Sequence, residues 1–442
     1  MMKFFLSLFS AVAGLFFLSA GCISPDDSGT ASVPAQSAKQ KIQYFSIRNN
    51  PVFLSKRASL IEFTAAEELR TALAALSRAS ELSELNMQDD FPEKASVCRI
   101  VIGELDSPIL RKVVDRLKIE KSEDDVIVQA VIDGNLVLSG SSPRAVLYSV
   151  YDFLQNQMGV RWMFDGEEGT FYMKDGGRIP ENFYRLHQGG FRFRNMGTIG
   201  KTGFARKQIL ARNYMHVGDF CFGGERYYGG ESIQPYRSDY KEHPEYFALL
   251  DGVRYLPPPT GWCWVINGCW SNPGFTDLCI RRIKDGIRTH KANHISIHPA
   301  DSARRCECEE CRKLINPDAS SRWYKYHAGI VRELKKEFPN LRYSVLAYQE
   351  YREVPAAPVE EVEFVEYCQY SRCFVHTIDN PDCATNHTDF GRLKRWEAEK
   401  GIPLGVWDYT FDVFSSGYNL PMYRFFADEI LNFYNRKLRF CN

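Results

Sequence analysis

Apolar and polar positions along this chain change period several times, and each change marks an element. Behind Lys3, the apolar run from Phe4 to Leu18 is too short to persist as a membrane-spanning helix, so residues 1–22 read as a cleaved leader. Ser, Ala, Pro, Asp, Gly and Gln then dominate through Gln40, and residues 23–40 are expected to be a flexible tether. Residues 41–186 mix short strand and helix patterns. Ile42 to Ile47 and Val97 to Ile102 read as strands, a helix starts near Thr64, and Pro108 to Leu117 repeats apolar residues at helical spacing. Val126 to Ala130 and Leu136 to Ser139 flank Asp133-Gly134, a hairpin signal. Ser142-Pro143 opens a helix that runs from Arg144 to Met158 and stops at Gly159.

Over residues 187–442 strands and helices alternate. Strands are expected at Phe191 to Met196, Trp264 to Asn267, His294 to His298, Tyr343 to Tyr348, Val362 to Tyr367 and Leu404 to Tyr409. Helices are expected at Thr276 to Thr289, Ser321 to Phe338, Thr388 to Lys400 and Pro421 to Tyr434. This predicts an α/β chain with a small N-terminal α/β domain at 41–186, followed at 187–442 by a (β/α)8 TIM-type barrel. Six strands leave that barrel about two units short at its C-terminal end, where Phe440-Cys441-Asn442 follows the start of another strand.

Composition narrows the function. A charged fraction of 25% and a hydrophobic fraction of 44% exclude a disordered or fibrous chain. Equal counts of 55 basic and 55 acidic residues argue against nucleic acid as a partner, since it demands a basic footprint. Small residues before Cys22 resemble a bacterial lipobox, with Ser19 where Leu is usual. Cys22 is then the lipidated residue and the membrane a partner, with the protein anchored in the cell envelope at the outer membrane or periplasmic face; the alternative is an ordinary signal cleaved nearby.

Thirteen cysteines are present, and Cys306, Cys308 and Cys311 are the dense group. With Cys269 or a histidine as fourth ligand they suit a structural zinc; a local disulfide with one free thiol is the alternative. The stretch Tyr255 to Trp270, with Trp262, Trp264 and Trp270, and Tyr227, Tyr228 and Tyr236 upstream, is either packing beneath a long loop or a sugar-stacking platform. Asn386-His-Thr388 matches a glycosylation sequon, which would be idle in a bacterial lipoprotein.

Several motifs together resemble a bacterial family, domain-of-unknown-function family 4838. They are His243-Pro-Glu-Tyr-Phe-Ala-Leu with Gly252 and Arg254, Cys269-Trp-Ser-Asn-Pro273, and Asp301 followed by Cys306-Glu-Cys308-Glu-Glu-Cys311. The helix from Arg144 into Gly159-Val-Arg-Trp162 is similar to the small domain that precedes family-20 hexosaminidase and family-67 alpha-glucuronidase barrels. The resemblance implies kinship to glycoside hydrolases, a glycan ligand and no cofactor for catalysis.

Such hydrolysis needs two carboxyls, placed in a barrel where strands end. Asp301, Glu350 and Asp408 satisfy that placement, Glu350 as general acid and Asp301 or Asp408 as its partner. Where family-20 enzymes carry an Asp-Glu pair this chain has Gln349-Glu350. Arg194 resembles the arginine that binds sugar hydroxyls in those enzymes, and His298, Tyr348 and Trp407 are further candidates for substrate contact. Two functions follow: a glycosidase, or a non-catalytic carbohydrate-binding lipoprotein on the same scaffold.

Overall fold

The computed structural model describes residues 42–119, 122, 124–173, 177–195, 203–224, 226–256, 267–302, 304–314, 318–373, 375–399, 401–409 and 423–441. The leader, the tether, Cys22, Trp262, Trp264 and all but Asn267 of the strand expected at 264–267 lie outside the described residues. Two compact units divide the chain: Met1–Arg192 with Thr198–Gly224, and Phe193–Gly197 with Glu225–Asn442.

Among the described residues the first unit has ten strands. They are β1 (Tyr44–Ile47), β2 (Val52–Leu54), β3 (Leu85–Met87), β4 (Ile100–Glu104), β5 (Val126–Ile132), β6 (Asn135–Gly140), β7 (Val160–Trp162), β8 (Thr170–Tyr172), β9 (Gly177–Pro180) and β10 (Tyr184–Gln188). Its helices are α1 (Leu60–Ser77), α2 (Pro143–Asn156) and α3 (Phe204–Arg212). Six strands form one mixed sheet in the order β10-β5-β6-β4-β2-β3. Asp133 and Gly134, both at positive φ, make the tight turn between β5 and β6.

Helix α1 begins four residues before Thr64. The Ser59 side chain accepts the Glu62 N–H, and the Glu62 carboxylate accepts the Ser59 N–H at 2.7 Å, a reciprocal cap. The helical period over Pro108 to Leu117 folds instead as two short 3₁₀ turns, Pro108–Leu110 and Val114–Leu117. Ile109, Leu110, Val113 and Leu117 are nonetheless buried together, so the pattern named the buried face correctly while tighter winding formed it.

The second unit adds β11 (Phe193–Arg194), β12 (Tyr227–Ile233), β13 (Leu249–Leu250), β14 (Val253–Arg254), β15 (His294–Pro299), β16 (Arg342–Ala347), β17 (Phe364–Cys368), β18 (Leu404–Trp407) and β19 (Phe440–Cys441). Its helices are α4 (Pro273–His290), α5 (Glu309–Lys313), α6 (Ala319–Lys335), α7 (Ala384–Ala398) and α8 (Tyr423–Asn435). Seven strands form one wholly parallel sheet in the order β11-β19-β18-β17-β16-β15-β12. The first strand therefore pairs with the last, the connectivity of an α/β barrel, but among the described residues β11 and β12 do not pair and no eight-stranded ring closes.

Strand β12 replaces part of the expected aromatic loop. Its glycines disguise it, and they are what admit it to the sheet. A Cβ on Gly229 would lie 1.9 Å from the Ser296 carbonyl oxygen, and Gly230 has φ of +100°.

Candidate functional site at the strand ends

All seven parallel strands end on the same side, and the residues that follow them gather there. Asp301 follows β15; Tyr348, Gln349 and Glu350 follow β16; Tyr370 and Arg372 follow β17; Asp408 and Tyr409 follow β18. Tyr348 Oη and Gln349 Nε2 each donate to Asp301 Oδ1 at 2.9 Å. Gln349 adopts a left-handed backbone, φ of +49°, which a side-chain-bearing residue keeps only when its surroundings hold it. The Tyr348 ring meets Tyr370 edge-on at 4.9 Å, and Tyr370 in turn faces Tyr409 at 6.3 Å. Burial and the adjoining Asp301 push the Tyr348 hydroxyl well above its ordinary value, so it stays a donor.

Glu350 sits on a single 3₁₀ turn with its Oε1 paired to Arg305. Burial raises its carboxyl, and Arg305 and Arg322 oppose that shift without cancelling it. Asp408 is almost enclosed; its Oδ1 accepts the Tyr409 N–H at 2.9 Å and lies 4.0 Å from Arg372. Arg372 is itself held by Glu429 of α8. The structure thus brings Asp301, Tyr348 and Gln349 into direct contact. It ties Glu350 and Asp408 to separate arginines.

The other residues expected to contact substrate lie on the strands themselves. His298 is buried within β15, 3.2 Å from Ser296 Oγ, and desolvation with His327 nearby pushes its pKa down to about 3, so the ring is neutral. Arg194 ends β11 in register with Cys441, and Trp407 ends β18 opposite Cys368. Trp270 is buried, stacked on Tyr326 at 5.2 Å, which is packing and not a sugar platform.

Sequence reasoning missed Glu366. It lies fully buried in the middle of β17, its Oε1 without a partner, and burial lifts its pKa to about 8. A charge inside a short apolar run of a buried parallel strand was the available signal. Arg305 and Arg372 were missed because only folding brings them beside Glu350 and Asp408.

The four cysteines Cys269, Cys306, Cys308 and Cys311 converge, their sulfurs all within 4.8 Å of one another. Cys269 Sγ is 3.7 Å from Cys308 and 3.8 Å from Cys311. A tetrahedral zinc with Zn–S of about 2.3 Å sets its sulfurs about 3.8 Å apart, so the donor set fits that ion. Leu249 N–H donates to Cys306 Sγ at 3.3 Å, Cys311 N–H to Cys308 Sγ at 3.4 Å, and Arg254 Nη1 lies 3.6 Å from Cys306 Sγ. Hydrogen bonds from Cys306 and Cys311 hold the Cys269 thiol far below its ordinary value.

The three sequence motifs meet here. Residues 243–254 supply a 3₁₀ turn at Pro244–Tyr246 and the β13–β14 hairpin, whose Ala248, Leu249 and Leu250 pack with the cysteines; Cys269 precedes α4, and Cys308 caps α5. Between the cluster and the strand ends, Asn267 pins the intervening loop: it donates to Ser302 and Arg304 carbonyls at 3.1 and 2.9 Å and accepts the Ala300 N–H.

This architecture is similar to that of a Flavobacterium johnsoniae chitobiase, FjGH20, at a TM-score of 0.50 and 10% identity, over 90% of this chain and 67% of that one. A second solved structure, CpGH84D, aligns at a TM-score of 0.33 and 12% identity, over 88% of this chain and 56% of the other. No curated protein matches. The model of one family matches residues 178–441, more than half of the chain and all three motifs; the protein belongs to the family described as Domain of unknown function (DUF4838).

Proposed function

We propose that this chain is a glycoside hydrolase-like lipoprotein of the cell envelope, held by lipid at Cys22, that acts on complex glycans at its strand-end cleft. The observation that carries this is the grouping of Asp301, Tyr348, Gln349 and Glu350 with the rings of Tyr370 and Tyr409 where parallel strands end, the place barrel enzymes use. The fold shared with a chitobiase supports it. Glu350 serves as general acid, since burial favours its protonated form. Asp301 is the second carboxylate, with Asp408 the alternative; Asp301 Oδ1 is occupied by two donors, leaving Oδ2 for water or sugar. Arg194, His298, Tyr348 and Trp407 contribute substrate contacts around them.

Glu350→Gln tests this. On natural glycans turnover should fall about 10²–10⁴-fold, the usual contribution of a general acid. Activated aryl glycosides, whose leaving groups need little protonation, should lose much less. A wild type that binds oligosaccharides but cleaves none across a broad panel would decide for non-catalytic carbohydrate binding. The Arg305–Glu350 pair and the amide at Gln349 favour that second reading.

The four-cysteine cluster holds a structural zinc in this proposal, with catalysis needing no cofactor. Two of its ligands, Cys306 and Cys308, sit on the loop that also carries Asp301 and Arg305, so the ion would fix both. Cys308→Ser should remove one zinc equivalent. An unchanged zinc content, or a Cys306–Cys311 or Cys308–Cys311 disulfide found by mass spectrometry, would overturn it. For the anchor, Cys22→Ser should move the protein from membranes to the soluble envelope fraction.

A further inference from the structure

We propose that Cys373, His376 and Cys383 form a second metal centre, which binds one borderline-soft divalent cation such as zinc and leaves the fourth position open to solvent. All three lie on the loop between β17 and α7, with Cys383 at the N-cap of α7. Cys373 Sγ, a ring nitrogen of His376 and Cys383 Sγ are all within 4.8 Å of one another, and Cys373 Sγ is 3.5 Å from His376 Nδ1. A tetrahedral zinc with Zn–S of about 2.3 Å and Zn–N of about 2.05 Å places sulfur and nitrogen about 3.6 Å apart. The observed 3.5 Å, the length of a hydrogen bond between the two groups when no ion is present, is also the spacing that two ligands of one ion need.

The scaffold holds these ligands without the ion. Asn386, wholly buried in the first turn of α7, accepts the Cys373 N–H at 2.7 Å and donates to the His376 and Thr377 carbonyls at 3.2 and 2.9 Å. Val375 N–H donates to Cys373 Sγ at 3.4 Å. Both ends of the Cys-x-x-His turn are thus pinned by one side chain, the support that metal ligands need from their neighbours.

Burial is graded across the site. Cys383 is buried, Cys373 half-buried and His376 exposed, so the free coordination position faces outward. The four-cysteine cluster closes its own shell; this one does not, and three protein ligands with an open fourth position are the pattern of a reactive zinc. A Cys373–Cys383 disulfide is the competing chemistry, and it would need the sulfurs at about 2.05 Å.

The test compares metal content of the full chain and its His376→Ala variant, both purified under reducing conditions without chelator. Because His376 is exposed, the variant should keep the wild-type melting profile by circular dichroism. Elemental analysis should show one zinc equivalent fewer in the variant, and that difference stands whether or not the four-cysteine cluster is loaded. Cobalt(II) exchanged into both should give a tetrahedral absorption band that is weaker in the variant by one site. Equal metal content in the two proteins would overturn the proposal. So would a stoichiometric Cys373–Cys383 disulfide in protein isolated without reductant.

Discussion

The two sheets of this protein have opposite interiors. In the first unit, aliphatic residues cover both faces: Leu136 and Leu138 with α1 and α2 on one side, Val128 and Val137 with Ile109 and Leu110 on the other. Its buried polar side chains are mostly neutral: Gln129 donates to the Ser149 carbonyl at 3.0 Å and to Asp152 at 2.8 Å while its Oε1 has no partner, and the one carboxylate beside it, Asp152, is paired with Arg185. In the second unit one sheet face carries His294, Ser296, His298, Ser344 and Glu366, all buried, above a cluster of Phe193, Phe364 and Phe440. Buried polar groups lower stability unless partnered, and Glu366 Oε1 has no partner. A sheet built only to fold has an interior like the first. An interior like the second is where chemistry can be placed.

The largest expected effect breaks this comparison at the four-cysteine cluster. Structural zinc contributes about 10–16 kcal/mol in small zinc-folded peptides, so metal removal should act strongly and locally. Hydrogen exchange on the chelator-treated chain should rise over residues 247–254 and 300–313 while α1, β4 and β6 keep their protection. Uniform loss across both units, or none anywhere, would count against the zinc.

Next is the aliphatic interior. Leu138→Ala in β6 should cost about 2–5 kcal/mol, read from urea unfolding of the full chain, because the site is fully enclosed. Ser296→Ala in β15, equally buried, removes little apolar volume and should cost about 1–3 kcal/mol, set by the hydrogen bond that buried His298 loses and not by a cavity.

Glu366 gives a pH signature that the first unit lacks. Its folded pKa of about 8 exceeds the ordinary carboxyl value of about 4.5, so the folded chain binds the proton more tightly than the unfolded chain does. Stability from this group is complete below about pH 4.5 and is lost as pH rises through about 8, with a slope approaching 1.4 kcal/mol per unit, roughly 2.303RT. Glu366→Gln should flatten that limb of the stability–pH curve; an unchanged slope would show that Glu366 has a partner.

The smallest effect is local. Ser59→Ala removes the reciprocal cap of α1 and should cost about 1 kcal/mol, with no change at the strand ends or in metal content.

Much of this was legible in the chain because local chemistry encodes it. Asp133-Gly134 set the β5–β6 turn since both residues tolerate positive φ, and Ser142-Pro143 and Gly159 bracketed α2. Strands β15 to β18 follow from short apolar runs between helices with clear periodicity. Boundaries were less visible: the cap at Ser59–Glu62 outweighed the later start suggested by Thr64.

What the sequence determined by itself is the strands β15 to β18 with most of the longer helices, the strand-end position of Asp301, Glu350 and Asp408, and Cys306, Cys308 and Cys311 as a dense thiol group, with Cys269 or a histidine left open as the fourth ligand. Tertiary structure alone decided which groups meet. Strand β12 depends on the close approach of Gly229 to Ser296, a contact 67 residues away along the chain. The pairings of Glu350 with Arg305, Asp408 with Arg372 and Asp301 with Gln349 depend on parallel strands that align distant loops. Hydrophobic period and turn chemistry act over a few residues and can be read one segment at a time. Side-chain pairing across βα loops is set by sheet order and register, which no single segment contains.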